Sequence, residues 1–343
     1  MKDAELVKKY DKTKMCEIYD MWPYIAKKTF ESKLEQIKIE KINDIIFSGM
    51  GGSGALGDIF AAILSKTTIH VSVVKGYSLP KTVDEKTLVV VTSVSGNTQE
   101  SFSILNQAKK INTNIIAFSG GGVIEKFCIK NKIEHRKIQE YHSPRASFTS
   151  FLYGMLKILG PILPISDTEV YESINQLKQS SFNISSKKLN ENNPALELAK
   201  WISDTPIIYY PFGFQAAAIR FKNSMQENAK MHAMTEDVIE TCHNGIVAWE
   251  RSSNFKPILI QGFDDHQKTK ERWKILKEFF EKEKIEYKEI NSVKGNILSK
   301  IINLIFQLDY VSIYSALLNQ KDPSPVKSID FIKLRLDKDK EII

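Results

Sequence analysis

The chain has 343 residues, 42% of them apolar and 26% charged, and its 48 basic and 41 acidic residues give a net charge of +7. This length and composition predict a globular protein of two domains and exclude a disordered or fibrous chain. The basic residues are scattered, whereas nucleic-acid-binding proteins usually gather them on one face, so the composition argues against a nucleic-acid partner. The mild positive charge favours small anionic ligands.

Cysteine usage and hydropathy predict where the protein works. Three cysteines (Cys16, Cys128 and Cys242) show no paired spacing, which suits a reducing cytoplasm better than a disulfide framework. The charged segment 1–14 is unlike a signal peptide. The longest apolar stretch, 151–163, is shorter than the ~20 residues that a membrane span needs. We therefore expect a cytoplasmic protein that does not use a membrane as a partner.

The first half of the chain predicts helices followed by a repeated strand, loop and helix. Two amphipathic helices are predicted over 4–40, with a break at Trp22 and Pro23. The predicted strands that follow are 44–48, 70–74, 88–92, 114–118 and 134–138, with helices between them such as 54–65 and 98–110. Such alternation predicts a parallel sheet covered on both faces. A long apolar helix then runs from Arg145 to about Gly160.

The second half resembles a degenerate copy of the first. After a more polar stretch, 161–195, the predicted strands are 206–210, 257–261 and 285–290, and the predicted helices are 215–230, 267–284, 297–319 and 326–337. We predict an α/β fold with two doubly wound parallel-sheet domains and flanking helices. The expected units are residues 1–160, residues 161–320, and a C-terminal helical tail, 321–343, that packs near the site.

Two serine-bearing glycine loops are the most informative motifs. Residues 48–54 read S-G-M-G-G-S-G and residues 93–98 read S-V-S-G-N-T, and each follows a predicted strand and opens a predicted helix. Glycine lets the backbone turn and approach a ligand, and free N–H groups at a helix start favour an anion. Because ligands of parallel sheets bind beyond the C-terminal ends of the strands, these loops predict a phosphate site that needs no metal.

The first loop also fits the dinucleotide fingerprint G-x-G-x-x-G. That fingerprint expects an acidic residue about twenty positions later, where this chain has Val73-Val74-Lys75. The ammonium group of Lys75 would suit a 2′-phosphate, so an NADP site remains one alternative interpretation. The other is that the two loops are tight turns that bind no ligand. The second loop favours a phosphate site over both, because dinucleotide sites do not usually carry such a loop on a neighbouring strand.

Three later segments give the loops a family context. They read Y-H-S-P-R-A at 141–146, Q-E-N-A-K at 226–230 and C-H-N-G-I-V-A-W-E at 242–250. With the two loops, they resemble the bifunctional phosphoglucose/phosphomannose isomerases, over nearly the whole chain. The resemblance implies two sugar isomerase (SIS) domains in a homodimer without cofactor or metal. It also implies interconversion of glucose 6-phosphate, and also mannose 6-phosphate, with fructose 6-phosphate through a cis-enediolate.

The resemblance assigns the phosphate to the hydroxyls of the two loops. The implied binding residues are Ser53, Ser93, Ser95 and Thr98, together with Gly52. Short donors at helix starts also suit a dianion on physical grounds, because they leave no positive charge buried when the ligand departs. For Thr98 an ordinary helix N-cap is an equally good interpretation.

The resemblance also assigns the proton-transfer chemistry. Glu227 matches the carboxylate that moves the proton between C2 and C1, and Arg145 matches the arginine that faces the enediolate charge. His243 matches the ring-opening histidine, which the partner subunit supplies. Lys333 matches a C-terminal lysine that assists ring opening, with Lys327 as a nearby alternative.

Two other functions remain open at this point. One is a different SIS phosphosugar enzyme, such as a glucosamine 6-phosphate isomerase or deaminase. The other is a non-catalytic phosphosugar sensor, although such sensors normally carry a DNA-binding domain and the segment 1–40 is too short and too mixed in charge for one. The six histidines show no paired spacing with carboxylates or cysteines, so the sequence predicts no metal site.

Overall fold

The computed structural model describes residues 3–39 and 42–338. Within these residues the strands form two sheets, and every paired strand is parallel to its neighbour. The first sheet has the order β2-β1-β3-β4-β5 and consists of β1 (Asp44–Ser48), β2 (His70–Val74), β3 (Thr87–Ser93), β4 (Asn114–Ser119) and β5 (Glu134–Lys137). The second has the order β7-β6-β8-β9 and consists of β6 (Pro206–Tyr210), β7 (Met234–Asp237), β8 (Lys256–Gln261) and β9 (Lys288–Asn291).

Helices cover both sheets. The α-helices up to the end of the first sheet are α1 (Asp3–Tyr10), α2 (Met15–Asp20), α3 (Trp22–Phe30), α4 (Gly52–Leu64), α5 (Gln99–Ile111) and α6 (Gly122–Asn131). Those that follow are α7 (Phe148–Leu159), α8 (Asp167–Ile184), α9 (Pro194–Trp201), α10 (Gln215–Ser224), α11 (Val238–Thr241), α12 (Gln267–Lys282), α13 (Ile297–Leu318) and α14 (Lys327–Lys338). A π-helical turn, Met225–Ala229, continues α10.

The burial of the strands explains why they were readable in the sequence. All of β3 is buried, and β1 and β4 are buried over most of their length, because helices cover both faces. Their β-branched, apolar runs suit such positions. The edge strands β2 and β5 are only partly buried and carry His70 and Arg136. The predicted α/β class with two parallel sheets is confirmed.

Helix α13 runs through the core that the two sheets share. The indole of Trp22 in α3 stacks on the ring of Phe306 in α13 with the ring centroids 5.6 Å apart. Among the described residues α13 is the one helix long and apolar enough to cross a membrane, but 89% of its apolar window is buried inside the protein. This helix is therefore an interior element of the fold.

Several predicted elements differ from the structure. The segment 4–40 holds α1, α2 and α3 instead of two helices, and residues 33–39 are irregular. The polar stretch 161–195 contains all of α8, whose N-terminus has a capping box between Ser166 and Glu169. The strand β7 was not predicted. The predicted tail continues as α14, and its residues 339–343 lie outside the described part of the chain.

The order of the first sheet places the two glycine loops side by side. The chain passes from β1 to β2 on one side and then returns to form β3 on the other side of β1. Ser48 at the end of β1 is in register with Val91 in β3. Open parallel sheets bind ligands in the crevice at such a switch point. The fold thus brings the two predicted phosphate loops to one edge.

Candidate active site

The first glycine loop connects β1 to α4 and lies against Arg145. Gly51 has a φ of +54°, a conformation that favours glycine. A Cβ atom added to Gly52 would lie 3.3 Å from Nη1 of Arg220 and 3.7 Å from Cα of Arg145. Ser53 is buried in the first turn of α4. This loop is therefore packed directly onto the backbone of the predicted enediolate-binding arginine.

The second loop joins β3 to α5 and is held by its own hydroxyls. The hydroxyl oxygens of Ser93 and Thr98 lie 2.8 Å apart, and the N–H of Gly96 donates to Ser93 Oγ at 3.1 Å. The N–H of Asn97 donates to Ser95 Oγ at 3.3 Å. Thr98 is the N-cap residue of α5, but its side chain makes no capping hydrogen bond. Its hydroxyl faces Ser93 instead, so the N-cap interpretation does not describe this side chain.

A third glycine segment, S-G-G-G at 119–122, supports the second loop and was not singled out from the sequence. Gly96 has a φ of +68°, and a Cβ atom there would lie only 1.7 Å from the carbonyl oxygen of Gly121. The N–H of Val123 donates to the side chain of Asn97 at 3.1 Å. The position of this segment directly after β4 was the available signal.

Arg145 is buried and almost fully hydrogen-bonded. Its Nε donates to Oδ1 of Asn228 at 2.6 Å, and its Nη2 donates to the carbonyls of Pro323 and Ser324 at 2.8 and 2.7 Å. Its Nη1 lies 3.5 Å from Oε2 of Glu227. Because a guanidinium group is rigid and always charged, these bonds fix a positive charge beside the Glu227 carboxylate.

Glu227 lies on the π-helical turn that ends α10. Such turns are rare and often occur at functional sites. The next residue, Asn228, is buried and donates to Ser312 Oγ at 2.9 Å as well as accepting from Arg145. The side chain of Glu227 keeps an exposed fraction of 26%. Its carboxylate is therefore both paired with Arg145 and open to a ligand on its other side.

A buried ion pair between Arg220 and Asp309 supports the backbone of Arg145. Arg220 donates through Nη2 to Oδ2 of Asp309 at 2.6 Å and to the carbonyl of Arg145 at 2.8 Å. Ser224 and Tyr19 donate to the same carboxylate at 2.6 and 3.0 Å. Burial and the charge of Asp309 raise the pKa of Tyr19 well above its usual range. An acidic residue in the middle of the apolar α13 was the sequence signal for this pair.

Glu227 lines an open cavity of about 810 Å³ together with the first glycine loop. Gly51 contributes from that loop, and the start of α14 forms the opposite wall through Lys327. Its lining residues are Gly51, Asn223, Gln226, Glu227, Lys230, Met231, His232, Lys321, Asp322, Pro325, Val326, Lys327, Ser328 and Ile329. Lys333 lies on the same helix as Lys327 but is exposed and is not part of the lining.

Lys230 is a cationic residue that lines the cavity, and its sequence segment, 226–230, indicated no role for it. Its ammonium group donates to the carbonyl of Glu227 at 2.6 Å and to the carbonyl of Pro323 at 3.2 Å. Partial burial, helped by the nearby charge of Arg145, lowers the pKa of Lys230 to about 8. A group with this pKa changes its charge within the range in which most enzymes work.

His243 lies apart from the other predicted catalytic residues of its own chain. It follows α11 in an exposed turn, where its N–H donates to the carbonyl of Glu240 at 2.9 Å. It is not among the residues that line the cavity, whereas His232 is. The structure thus brings Arg145, Glu227 and the first loop together and leaves His243 outside this group.

Known proteins resemble this chain over most of its length. Residues 38–133 match the SIS domain, and residues 191–336 match the bacterial phospho-glucose isomerase C-terminal SIS domain. The bifunctional phosphoglucose/phosphomannose isomerase of Caldicellulosiruptor bescii is 34% identical over 88% of this chain and 91% of that protein. The chain belongs to the bifunctional phosphoglucose/phosphomannose isomerase family.

Some other relatives and solved structures are less similar in sequence to this chain than the Caldicellulosiruptor bescii isomerase is. The protein of the same name from Aquifex aeolicus is 28% identical over 86% of the chain and 90% of that protein, and a D-glucosamine-6-phosphate 4-epimerase of Sulfolobus acidocaldarius is 24% identical over 72% and 77%. A hypothetical protein of Thermus thermophilus has a similar structure, with a TM-score of 0.75 at 13% identity over 98% of this chain and 93% of that one. The last likeness concerns the fold alone.

The side chains around Glu227 suit an anionic ligand. They are the guanidinium of Arg145 and the ammonium of Lys230, which both carry positive charge. In residues 3–39 and 42–338, no three His, Cys, Asp or Glu side chains are grouped in a way that would bind a metal ion.

Proposed function

We propose that this chain interconverts glucose 6-phosphate, and also mannose 6-phosphate, with fructose 6-phosphate. One observation carries the proposal: Glu227 lines the same cavity as Gly51 of the first glycine loop and lies 3.5 Å from the fixed guanidinium of Arg145. A base, a cation for the developing charge and an anion-binding loop are the parts that aldose–ketose isomerisation requires. Membership of the isomerase family supports the same reaction.

The phosphate end of the sugar binds at the two loops in this proposal. Ser53, Ser93, Ser95 and Thr98 offer hydroxyl donors, and Gly52 lets the backbone approach the ligand. The bond between the Ser93 and Thr98 hydroxyls is exchanged for bonds to phosphate oxygens when the substrate binds. Because these donors are neutral, the pocket discriminates by hydrogen-bond geometry as well as by charge.

Proton transfer takes place at Glu227. The carboxylate removes the proton from C2 of the open-chain aldose, and the electrons of that C–H bond form the enediolate. The same carboxyl group returns the proton to C1 while the hydroxyl proton of O2 is transferred to O1, which leaves the carbonyl of the ketose at C2. Arg145 stabilises the negative charge that develops on the oxygens, and its bonds to Asn228 and to two backbone carbonyls hold it in place before the substrate arrives. Such preorganisation lowers the barrier because no dipoles need to turn during the reaction.

Ring opening is assigned to His243 of a second copy of the chain, with Lys333 or Lys327 assisting. The exposed position of His243, outside its own cavity, supports a homodimer in which each subunit completes the site of the other. Lys327 is the better placed of the two lysines, because it lines the cavity. A cytoplasmic location fits the three cysteines, which are all free thiols.

A coupled assay with glucose, mannose and fructose 6-phosphates tests the function. Glu227→Gln is expected to lower kcat by ~10²–10⁴-fold, since general-base catalysis contributes that much. Glu278→Gln, on the exposed face of α12, is the matched control and should leave kcat unchanged. Glucose 6-phosphate with deuterium at C2 should lose part of its label to water during turnover. A Glu227→Gln enzyme with near-normal kcat would contradict the proposed mechanism.

Two further measurements separate the alternative functions. A glucosamine 6-phosphate deaminase would release ammonia from glucosamine 6-phosphate, which an ammonia-coupled measurement detects. A non-catalytic sensor would bind fructose 6-phosphate in calorimetry and turn over none of the three sugars. Either result would replace the isomerase proposal.

A further inference from the structure

Lys230 ends the turn that carries Glu227. It has a φ of +60°, a left-handed conformation that is costly for a residue with a side chain, and it follows directly after the π-helical turn Met225–Ala229. The N–H of Met231 closes the turn by donating to the carbonyl of Met225 at 3.2 Å. This backbone conformation folds the lysine side chain back along its own turn.

The ammonium group of Lys230 joins two segments of the site. The last carbonyls of a helix lack partners within the helix, and here the ammonium group supplies one for Glu227 at 2.6 Å. The same ammonium group lies 3.2 Å from the Pro323 carbonyl, to which Arg145 also donates. Two cations therefore converge on one carbonyl oxygen, and together they tie the Glu227 turn to the wall formed by residues 321–326.

We propose that Lys230 is a positioning residue for the isomerisation: its charged ammonium group holds the backbone of Glu227 against Pro323 and so sets where the carboxylate meets the substrate. This inference rests on the proposed function. The side chain of Glu227 extends from this backbone, so the position of the backbone limits which substrate carbon the carboxylate can reach. A displacement of about 1 Å at such a point costs about 10²-fold in rate.

The surroundings of Lys230 make this role dependent on pH. Partial burial and the charge of Arg145 favour the neutral amine, whereas Asp322 and Glu227 favour the ammonium form. Lys321, Lys327 and His232 also line the cavity. With a pKa of about 8, Lys230 loses its charge as the pH rises through that value, so kcat/KM should fall on the alkaline side.

The test compares pH profiles of kcat/KM for the wild type, Lys230→Arg and Lys230→Met. Because guanidinium stays charged, Lys230→Arg should retain activity and move the alkaline limb upward by about one pH unit or more. Lys230→Met should lose about 10²-fold in kcat below pH 8, where the wild-type ammonium group is charged, with a smaller change in KM, and the deficit should shrink as the pH rises through that value. Lys274→Arg, on the exposed surface of α12, is the control and should not move the profile.

Three outcomes would overturn the inference. The first is a Lys230→Arg enzyme whose alkaline limb stays where the wild type has it, and the second is a Lys230→Met enzyme with wild-type kcat below pH 8. If Lys230→Arg is inactive, Lys230→Ala with added primary amines replaces it, and the alkaline limb of the rescued activity should follow the pKa of the amine. The third is an absence of any rescue in a variant that circular dichroism shows to be folded.

The proposed function fails separately from this inference. If the wild-type protein does not turn over the hexose 6-phosphates, the isomerase proposal falls and takes the role of Lys230 with it. If the wild type is active and the profile of Lys230→Arg is unmoved, only the role of Lys230 is wrong.

Discussion

At the scale of single residues, the site depends on two arginines in a chain that has few. Of six arginines, Arg145 and Arg220 are buried next to each other, while lysine provides nearly all the other positive charge. Both use several donors of the planar group at once, which an ammonium group cannot do in the same geometry. Arg220 donates to the backbone carbonyl of Arg145, and the side chain of Arg145 faces the carboxylate of Glu227.

The carboxylate of Asp309 is the group on which this support depends. Asp309→Asn would leave the buried charge of Arg220 without a counter-ion, and we expect it to lower the free energy of unfolding by about 3–5 kcal/mol. Urea unfolding followed by circular dichroism measures this. Asp330→Asn, on the exposed face of α14, should change the stability by less than about 0.5 kcal/mol. Equal stabilities of the two variants would show that the ion pair is dispensable.

At the scale of elements, the second glycine loop is positioned by backbone contact between two glycine segments. The carbonyl of Gly121 occupies the space in which a side chain at position 96 would start. Only a residue without Cβ fits there, and the positive φ of Gly96 adds the same requirement. The hydroxyl oxygens of Ser93 and Thr98, 2.8 Å apart, lie in this same loop.

Gly96→Ala should therefore disturb the loop far more than an alanine elsewhere. We expect a loss of about 1–3 kcal/mol in stability from the forced shift of the backbone. We also expect a clear rise in the KM for glucose 6-phosphate. Gly76→Ala is the matched control, because a Cβ atom there meets no atom within 4 Å. A Gly96→Ala enzyme with the KM of the Gly76→Ala enzyme would argue against phosphate binding at this loop.

The elements that the sequence predicted well are those with strong local patterns. The strands β1, β3 and β6 are short apolar runs followed by turn residues, and their predicted bounds lie within a residue or two of the structure. The helix α8 was missed because its surface is rich in Ser, Asn and Gln, although its Ser166 and Glu169 form a capping box. The sequence of β7, M-T-E-D, carries no apolar alternation, so nothing local predicts a strand there.

The site was predictable only through its motifs. The two loops were found from their glycines and serines after predicted strands, whereas Arg145 and Glu227 were found because they lie in segments that resemble a family. In the π-helical turn, the side chain of Asn228 accepts a hydrogen bond from Arg145 and donates one to Ser312. Both partner residues come from distant parts of the chain. The roles of Arg220 and Asp309 likewise depend on tertiary contacts, which a single sequence does not reveal. The roles of Ser53, Lys333 and the other assigned residues stay predictions.

At the scale of the whole molecule, the proposed dimer makes a prediction about mixed subunits. Glu227→Gln and His243→Gln should each be inactive alone. In a 1:1 mixture refolded together, two-fold dimers form at random, and half of them carry one site with both residues intact. Turnover should then recover to about a quarter of the wild-type value for such two-fold pairing. Arg145→Gln, which we also expect to be inactive alone, should give no such recovery in place of His243→Gln, since Arg145 and Glu227 lie 3.5 Å apart in the same chain.

The mixture also has a clear negative outcome. If Glu227 and His243 act within one chain, mixing cannot rebuild a site, and the turnover stays at the average of the two variants. Native mass spectrometry of the same samples, with one variant labelled with ¹⁵N, reports whether mixed dimers have formed. Dimers without recovered turnover would rule out sharing of the site.

The late position of α13 in the chain has a consequence for biosynthesis. The helix that packs against Trp22, and that carries Asp309 beside Arg220, begins at Ile297, so it leaves the ribosome long after the first sheet, whose last strand ends at Lys137. At ~5–20 residues per second, the first sheet waits roughly 10–40 s for this helix after its own strands have been made. During that interval the nascent chain shows apolar surface to the cell, and chaperones or proteases meet it there before any substrate does.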